Sequence, residues 1–196
     1  MNLALFDFDG TITTREMYVD FVRHAIGPKR FALGRVRLAP HYLAYRMRLL
    51  SGSSIRAKIV AIGFTGMSET EARNAGESFA QTVLPQVLRP VAMERIAWHK
   101  ERGDRVVVVS GGLETYLEHW CRTHEVDLLG SRLAVRDGRL TGLYDGEQCV
   151  GPEKVRRVRE RYPESDYDCI YAYGDTHEDL AMLEMAQHQT YRWQSA

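Results

Sequence analysis

The sequence predicts an α/β protein whose core is a doubly wound parallel sheet, with an all-helical segment inserted after the first strand. Three observations predict it. Short apolar runs of strand type, Leu3 to Phe8, Arg105 to Val109 and Cys169 to Tyr173, recur between longer stretches of helical spacing, and that alternation favours a parallel sheet covered on both faces. These runs lead directly into polar residues, Asp7 and Asp9, Ser110, and Asp175, and in such a sheet the strands' carboxyl ends form the ligand site. The stretch from Phe21 to Ser68 holds nine basic residues (Arg23, Lys29, Arg30, Arg35, Arg37, Arg46, Arg48, Arg56, Lys58) and no acidic one, although the chain as a whole balances 26 Lys+Arg against 26 Asp+Glu. It is compositionally a separate unit.

At 196 residues, 44% hydrophobic and 27% charged, the chain is long enough for one domain with a sizeable insert and has a globular, not a disordered or coiled-coil, composition. Its apolar runs are too short to cross a bilayer, and Asp7 and Asp9 interrupt any signal-peptide core, so a cytoplasmic protein is expected. Cys121, Cys149 and Cys169 form no CxxC pair, which argues for reduced thiols and against a zinc site or disulfide framework.

Taken in order, Leu3 to Phe8 reads as a buried central strand. Arg15 to Ile26 places Met17, Phe21, Val22 and Ile26 at helical spacing until Gly27-Pro28 stops it. Helical patterns follow over Arg30 to Leu50, Ser53 to Gly63, Ser68 to Val83 and Val91 to Arg102, with Ser68-Glu69-Thr70-Glu71 as a helix start carrying acids in its first turn. Arg105 to Val109 is a valine strand, Ser110-Gly111-Gly112 a turn, and Leu113 to His124 an amphipathic helix. Leu128 to Val135 is expected as one further strand, with Asp137-Gly138 and Asp145-Gly146 punctuating a hairpin region. Gly151-Pro152-Glu153 opens a helix to about Arg161, Cys169 to Tyr173 is a strand, Asp179 to Ala186 a helix, and Thr190 to Trp193 a short strand. The expected organisation is residues 1–13 and 90–196 as the α/β domain, with 14–89 as the helical insert.

The residues that follow the strands, Asp7, Asp9, Ser110, Asp175 and Asp179, together with Lys154 at a nearby helix start, combine acids with one hydroxyl and one lysine. An all-oxygen carboxylate set suits a hard cation such as Mg²⁺, leaving substrate phosphate and waters to complete its shell. Zinc is disfavoured without sulfur or paired histidines. A strand-end carboxylate such as Asp7 can attack phosphorus in line. Asp9, two residues on, can protonate a leaving alkoxide and then deprotonate water.

The run Asp7-Phe8-Asp9-Gly10-Thr11-Ile12-Thr13 resembles the first motif of the haloacid dehalogenase superfamily of phosphohydrolases. Val106 to Ser110 resembles the second motif, Lys154 the third, and Tyr173-Gly174-Asp175-Thr176-His177-Glu178-Asp179 the fourth. Each motif is weak alone; in order, over essentially the whole chain, they are specific. The insert resembles the cap of the phosphoserine phosphatase-like branch (subfamily IB), which implies a Rossmann-like core with a helical cap. The resemblance implies a Mg²⁺-dependent phosphomonoesterase with Asp7 as nucleophile and Asp9 as acid and base. It further implies the Asp7 carboxylate, the Asp9 carbonyl and Asp175 as metal ligands, with Asp179 supporting the metal shell and Lys154. Ser110, Lys154 and backbone amides around Gly10 and Gly111 would hold the phosphoryl oxygens.

In that branch a cap glutamate nine residues after the nucleophile binds the substrate amine, and Glu16 stands at that offset; Arg56 is the nearest match to the arginine that binds the carboxylate. A small phosphorylated metabolite, phosphoserine-like, is therefore the leading expectation. The basic segment, interleaved with Phe31, Leu33, Val36, Tyr42 and Tyr45, supports an alternative: a lipid phosphate such as lysophosphatidate or phosphatidylglycerophosphate, with peripheral membrane contact. Nucleic acid is disfavoured by zero net charge, and a monomer or weak dimer is expected. From another class, receiver-like signalling modules and phosphate-binding proteins use similar residues, but need neither Asp9 nor an insert. His177 is expected near the site without a catalytic role.

Overall fold

The computed structural model describes residues 1–195; Ala196, the last residue of the expected α/β segment, lies outside them. Strand β1 (Leu3–Phe6) is fully buried and stands at the centre of a six-stranded sheet. It pairs in parallel with β2 (Arg105–Leu113) on one side and β6 (Ile170–Gly174) on the other. Beyond β2 lies β3 (Asp127–Ser131); beyond β6 lie β7 (His188–Tyr191) and an antiparallel β8 (Gln194–Ser195). The chain thus departs from β1 to both sides, and the crevice past its carboxyl end is the topological switch point.

Side-chain alternation explains why both faces are apolar. Ala4, Phe6, Val106 and Val108 join one hydrophobic cluster, whereas Leu3, Leu5, Val107, Val109, Ile170 and Ala172 join another. The first cluster reaches Ile96 of α4 (Pro90–Glu101) and Leu117 and Trp120 of α5 (Glu114–His124); the second reaches Val158 of α6 (Pro152–Arg161) and Leu183 of α7 (Leu180–Glu184).

Between β1 and α4 stand α1 (Tyr18–Arg46), α2 (Gly52–Phe64) and α3 (Glu69–Thr82). α1 is kinked at Gly27, whose φ of 74° interrupts the ladder where the sequence placed a stop. It begins later than expected because the Thr13 hydroxyl donates to the Arg15 carbonyl and holds that stretch in a bend. α2 and α3 are N-capped by Ser51 and Ser68, whose hydroxyls accept from the Ser54 and Glu71 amides at 3.1 Å. No helix among the described residues is long and apolar enough to cross a membrane.

Two expectations are corrected. Leu128 to Val135 is not one strand: β3 ends at Ser131, and β4 (Leu133–Arg136) pairs antiparallel with β5 (Arg139–Tyr144) in a separate ribbon. Ser131 ends the strand because its buried hydroxyl donates to the Gly111 carbonyl and accepts from the Cys149 amide, both at 3.0 Å. Ser110 to Gly112 is not a free turn but the irregular end of β2, where the register with β3 shifts. The ribbon turns at Asp137-Gly138, both at positive φ as such a hairpin requires. It hydrogen-bonds to the α2–α3 connection through Gly66, Met67 and Leu140.

Candidate active site

Asp7 follows β1 directly, and its amide continues the ladder to the Tyr173 carbonyl at 2.9 Å. Lys154 enters from the first turn of α6. Its ammonium, almost fully buried, donates to Asp7 Oδ1 and Asp179 Oδ1, each at 2.6 Å. Although it stands among arginines on α6, Lys154 joins three segments at the sheet's end, where the sequence expects it. Burial alone would strip the proton from the ammonium, but the two carboxylates outweigh it and keep Lys154 charged. Desolvation raises Asp7 to about 7 against the pull of Lys154, with Asp179 and Asp175 adding to the rise.

Both Asp179 oxygens are committed. Oδ1 takes Lys154, and Oδ2 accepts from the Asp175 amide (3.1 Å), the Thr176 amide (2.9 Å) and the Thr176 hydroxyl (2.9 Å). Burial works to raise its pKa, but Lys154 and these bonds hold it below the usual carboxylate value. A Cβ at Gly174 would stand 2.5 Å from the Asp179 Cβ, so only glycine admits this side chain. Gly10, at φ 82°, has a similar reason: a Cβ there would lie 2.3 Å from Asp175 Oδ2. Gly10 thus makes room for Asp175, whose Oδ1 accepts from the Thr11 hydroxyl at 3.1 Å.

Asp7, Asp175 and Asp179 each bring a carboxylate oxygen within 4.8 Å of the others. Three carboxylates against one ammonium leave negative charge, and an all-oxygen donor set of this kind fits a hard dication. Asp9 is buried beside them, with Oδ1 accepting from the Met17 amide at 3.2 Å. Desolvation, then the charges of Glu16 and Asp7, raises its pKa well above the ordinary value, favouring the protonated carboxyl. The buried Ser110 hydroxyl accepts from the Gly112 amide at 3.0 Å.

These groups open into a cavity of about 810 Å³ whose walls include Asp7, Asp9, Ser110, Gly111, Lys154 and Asp179. Glu16 and His177, both exposed to solvent, also line it. Partial desolvation inside the cavity raises the Glu16 carboxyl, helped by Asp175 and opposed by Arg56. Arg56 lines it too, but its guanidinium is engaged: Nη2 donates to Glu178 Oε1 and Nε to Gln148 Oε1, both at 2.9 Å. Sequence reasoning missed Glu178 and Gln148. Glu178 sat inside the fourth motif as filler, and nothing local marks Gln148, since the contacts span 122 and 92 residues.

The haloacid dehalogenase-like hydrolase family model matches residues 4–184. Protein CicA of Caulobacter vibrioides is 34% identical over 97% of this chain and 85% of its own length. A phosphoserine phosphatase of Halobacterium salinarum is 28% identical over 95% of this chain and 83% of that protein. Among solved structures, a phospho-aspartyl intermediate analogue of phosphoserine phosphatase superposes with a TM-score of 0.68 at 23% identity, over 97% of this chain and 85% of that one. With its four motifs gathered around one carboxylate cluster at the switch point, the chain belongs to the haloacid dehalogenase-like hydrolase family, and its fold is that of the phosphoserine phosphatase structures.

Proposed function

We propose that this protein is a Mg²⁺-dependent phosphomonoester phosphatase working through an aspartyl-phosphate at Asp7. The observation that carries this reading is the Lys154 ammonium shared by Asp7 and Asp179 beside a buried Asp9, whose carboxyl burial pushes well above its ordinary pKa. Lys154 fixes Oδ1 of Asp7, so Oδ2 attacks phosphorus in line as the ester P–O bond breaks. Asp9 gives its proton to the departing alkoxide, and the alcohol leaves. Asp9, now a carboxylate, takes a proton from water as that water attacks the phosphoryl group, which frees phosphate and restores Asp7. Lys154, Ser110 and the amides around Gly10 and Gly111 stabilise charge on the phosphoryl oxygens. Asp7, the Asp9 carbonyl and Asp175 would hold Mg²⁺, which supplies charge neutralisation at the phosphoryl group. Asp179, with both oxygens occupied, positions Lys154 and the Asp175 loop. Residues 14–89 act as the cap that excludes water.

A phosphoserine-like substrate would set its amine on Glu16 and its carboxylate on Arg56. The Arg56–Glu178 ion pair at 2.9 Å weakens that choice, because the guanidinium already has a carboxylate. The test is phosphate release from p-nitrophenyl phosphate with Mg²⁺ or with EDTA, for wild type and Asp7→Asn. Release that needs both metal and Asp7 supports the reading; no release, or release that survives Asp7→Asn, overturns it in favour of a receiver-like or phosphate-binding module.

A further inference from the structure

We propose that the phosphomonoester cleaved here carries a long apolar chain, held in the furrow between α1 and α2 while its phosphate sits at Asp7. This rests on the phosphatase reading and names its substrate class. The cavity is one continuous space with two chemistries. Its floor is the carboxylate and lysine cluster; its farther walls are Val22, Ile26, Phe31 and Leu38 from α1 facing Ile59 and Ile62 from α2. At about 810 Å³ it lies in the upper part of the roughly 300–1,000 Å³ range that encloses drug-sized ligands. A headgroup the size of phosphoserine would leave most of it as water against apolar walls, whereas an alkyl chain would replace that water favourably.

Glycines line the furrow as well. A Cβ at Gly34 would stand 3.3 Å from Ile62, so the bare backbone there lets α1 and α2 lie close without a side chain crowding the space between them, while one at Gly63 would meet Val22 in ordinary contact at 3.6 Å. A second observation comes from the far end of α1, which exposes Leu33, Val36 and Leu43, with Met47 and Leu49 just beyond. These alternate with Arg30, Arg35, Arg37, Arg46 and Arg48, in a segment with no acid from Phe21 to Ser68. Large apolar side chains left in water among cations match a surface of acyl chains and anionic headgroups. The helix that walls the furrow on one side thus carries on its outer side a surface suited to the layer in which such esters reside.

The experiment is a chain-length series. Release of phosphate is measured from glycerol 3-phosphate and from its monoacyl esters of increasing length, kept below their micelle thresholds. Binding of alkyl phosphonates of matching lengths is measured by calorimetry with Mg²⁺ present. At about 0.8 kcal/mol per buried methylene, two methylenes amount to about 15-fold, so kcat/KM should climb by at least that across the series while phosphonate Kd values tighten in parallel. Leu38→Glu should flatten both trends and leave p-nitrophenyl phosphate turnover intact; Phe31→Gln repeats the test should Leu38→Glu fail to fold.

Equal kcat/KM for all lengths, with good turnover of glycerol 3-phosphate, overturns the inference and leaves the phosphatase reading standing. Chain-dependent phosphonate binding without hydrolysis of any ester overturns the phosphatase reading instead. Neither binding trend nor turnover overturns both, and a chain-length trend that survives both folded variants removes the furrow as the chain's place. Supplying the longest ester in phosphatidylglycerol vesicles tells its source: faster release there assigns a bilayer-held substrate, faster release from monomers a free amphiphile.

Discussion

At the sheet end of the cavity Lys154 and Asp179 are spoken for, while at the α1–α2 end the walls are mostly apolar, with Arg35 among them, and face one another across open space. Lys154 is bonded to two carboxylates and Asp179 accepts four hydrogen bonds, so this end is rigid and costly to disturb. Val22, Phe31, Leu38 and Ile59 contribute only shape and the exclusion of water. The difference separates what any phosphate ester needs from what one class of ester needs. The first demands groups held in place before the substrate arrives; the second demands room and an apolar wall.

The comparison can be broken at the rigid end first. Lys154→Met leaves Asp7 and Asp179 buried without a cation, and should cost about 3–5 kcal/mol in urea denaturation as well as turnover. Wild-type stability in that variant would show that the cluster is not a unit. Asp9→Asn should sharpen it by separating chemistry from folding: turnover falls by roughly 10²–10⁴ while stability holds or rises, because a desolvated acid is removed. A loss of turnover matched by unfolding would assign Asp9 to the fold.

A smaller effect is expected beside the cluster, at Glu153. Hydrogen bonds from Arg156, reinforced by those from Arg157 against the cost of burial, bring its carboxyl down to about 2 from 4.5. Because the folded pKa lies below the unfolded one, the contribution is present above about pH 4.5 and is lost as pH falls toward 2. Glu153→Gln should therefore be less stable than wild type at pH 7, with the gap closing below pH 4.5 in thermal melts; a constant gap would contradict this. Smallest of all, Tyr116→Phe removes a buried hydroxyl that has no partner among the described residues, so melting should be unchanged or raised. A loss of more than about 1 kcal/mol would reveal a partner for it.

Much of the rigid end was legible in the sequence because its residues follow strands, and strands are short apolar runs with visible ends. Asp7, Ser110 and Asp175 were found that way, as were the kink at Gly27, the Ser68 cap and the turn at Asp137-Gly138, each written in residues adjacent in the chain. What stayed hidden depends on distant partners. Ser131 ends β3 through Gly111 and Cys149, 20 and 18 residues away. Arg56 is taken by Glu178, and Gly10 leaves room for Asp175, far along the chain. The furrow was hidden for the same reason: Phe31 and Leu38 show an apolar face, but Ile59 and Ile62 of a second helix decide that the face borders a cavity.

The most direct test of the central claim is to look for the covalent intermediate. Asp9→Asn is mixed with p-nitrophenyl phosphate and Mg²⁺, quenched in acid and digested, and the peptides are weighed by mass spectrometry. The account predicts a phosphoryl group on the peptide carrying Asp7, absent when Asp7→Asn is added. A phosphoryl group on any other residue, or wild-type phosphate release with no adduct in any quench, would contradict nucleophilic attack by Asp7.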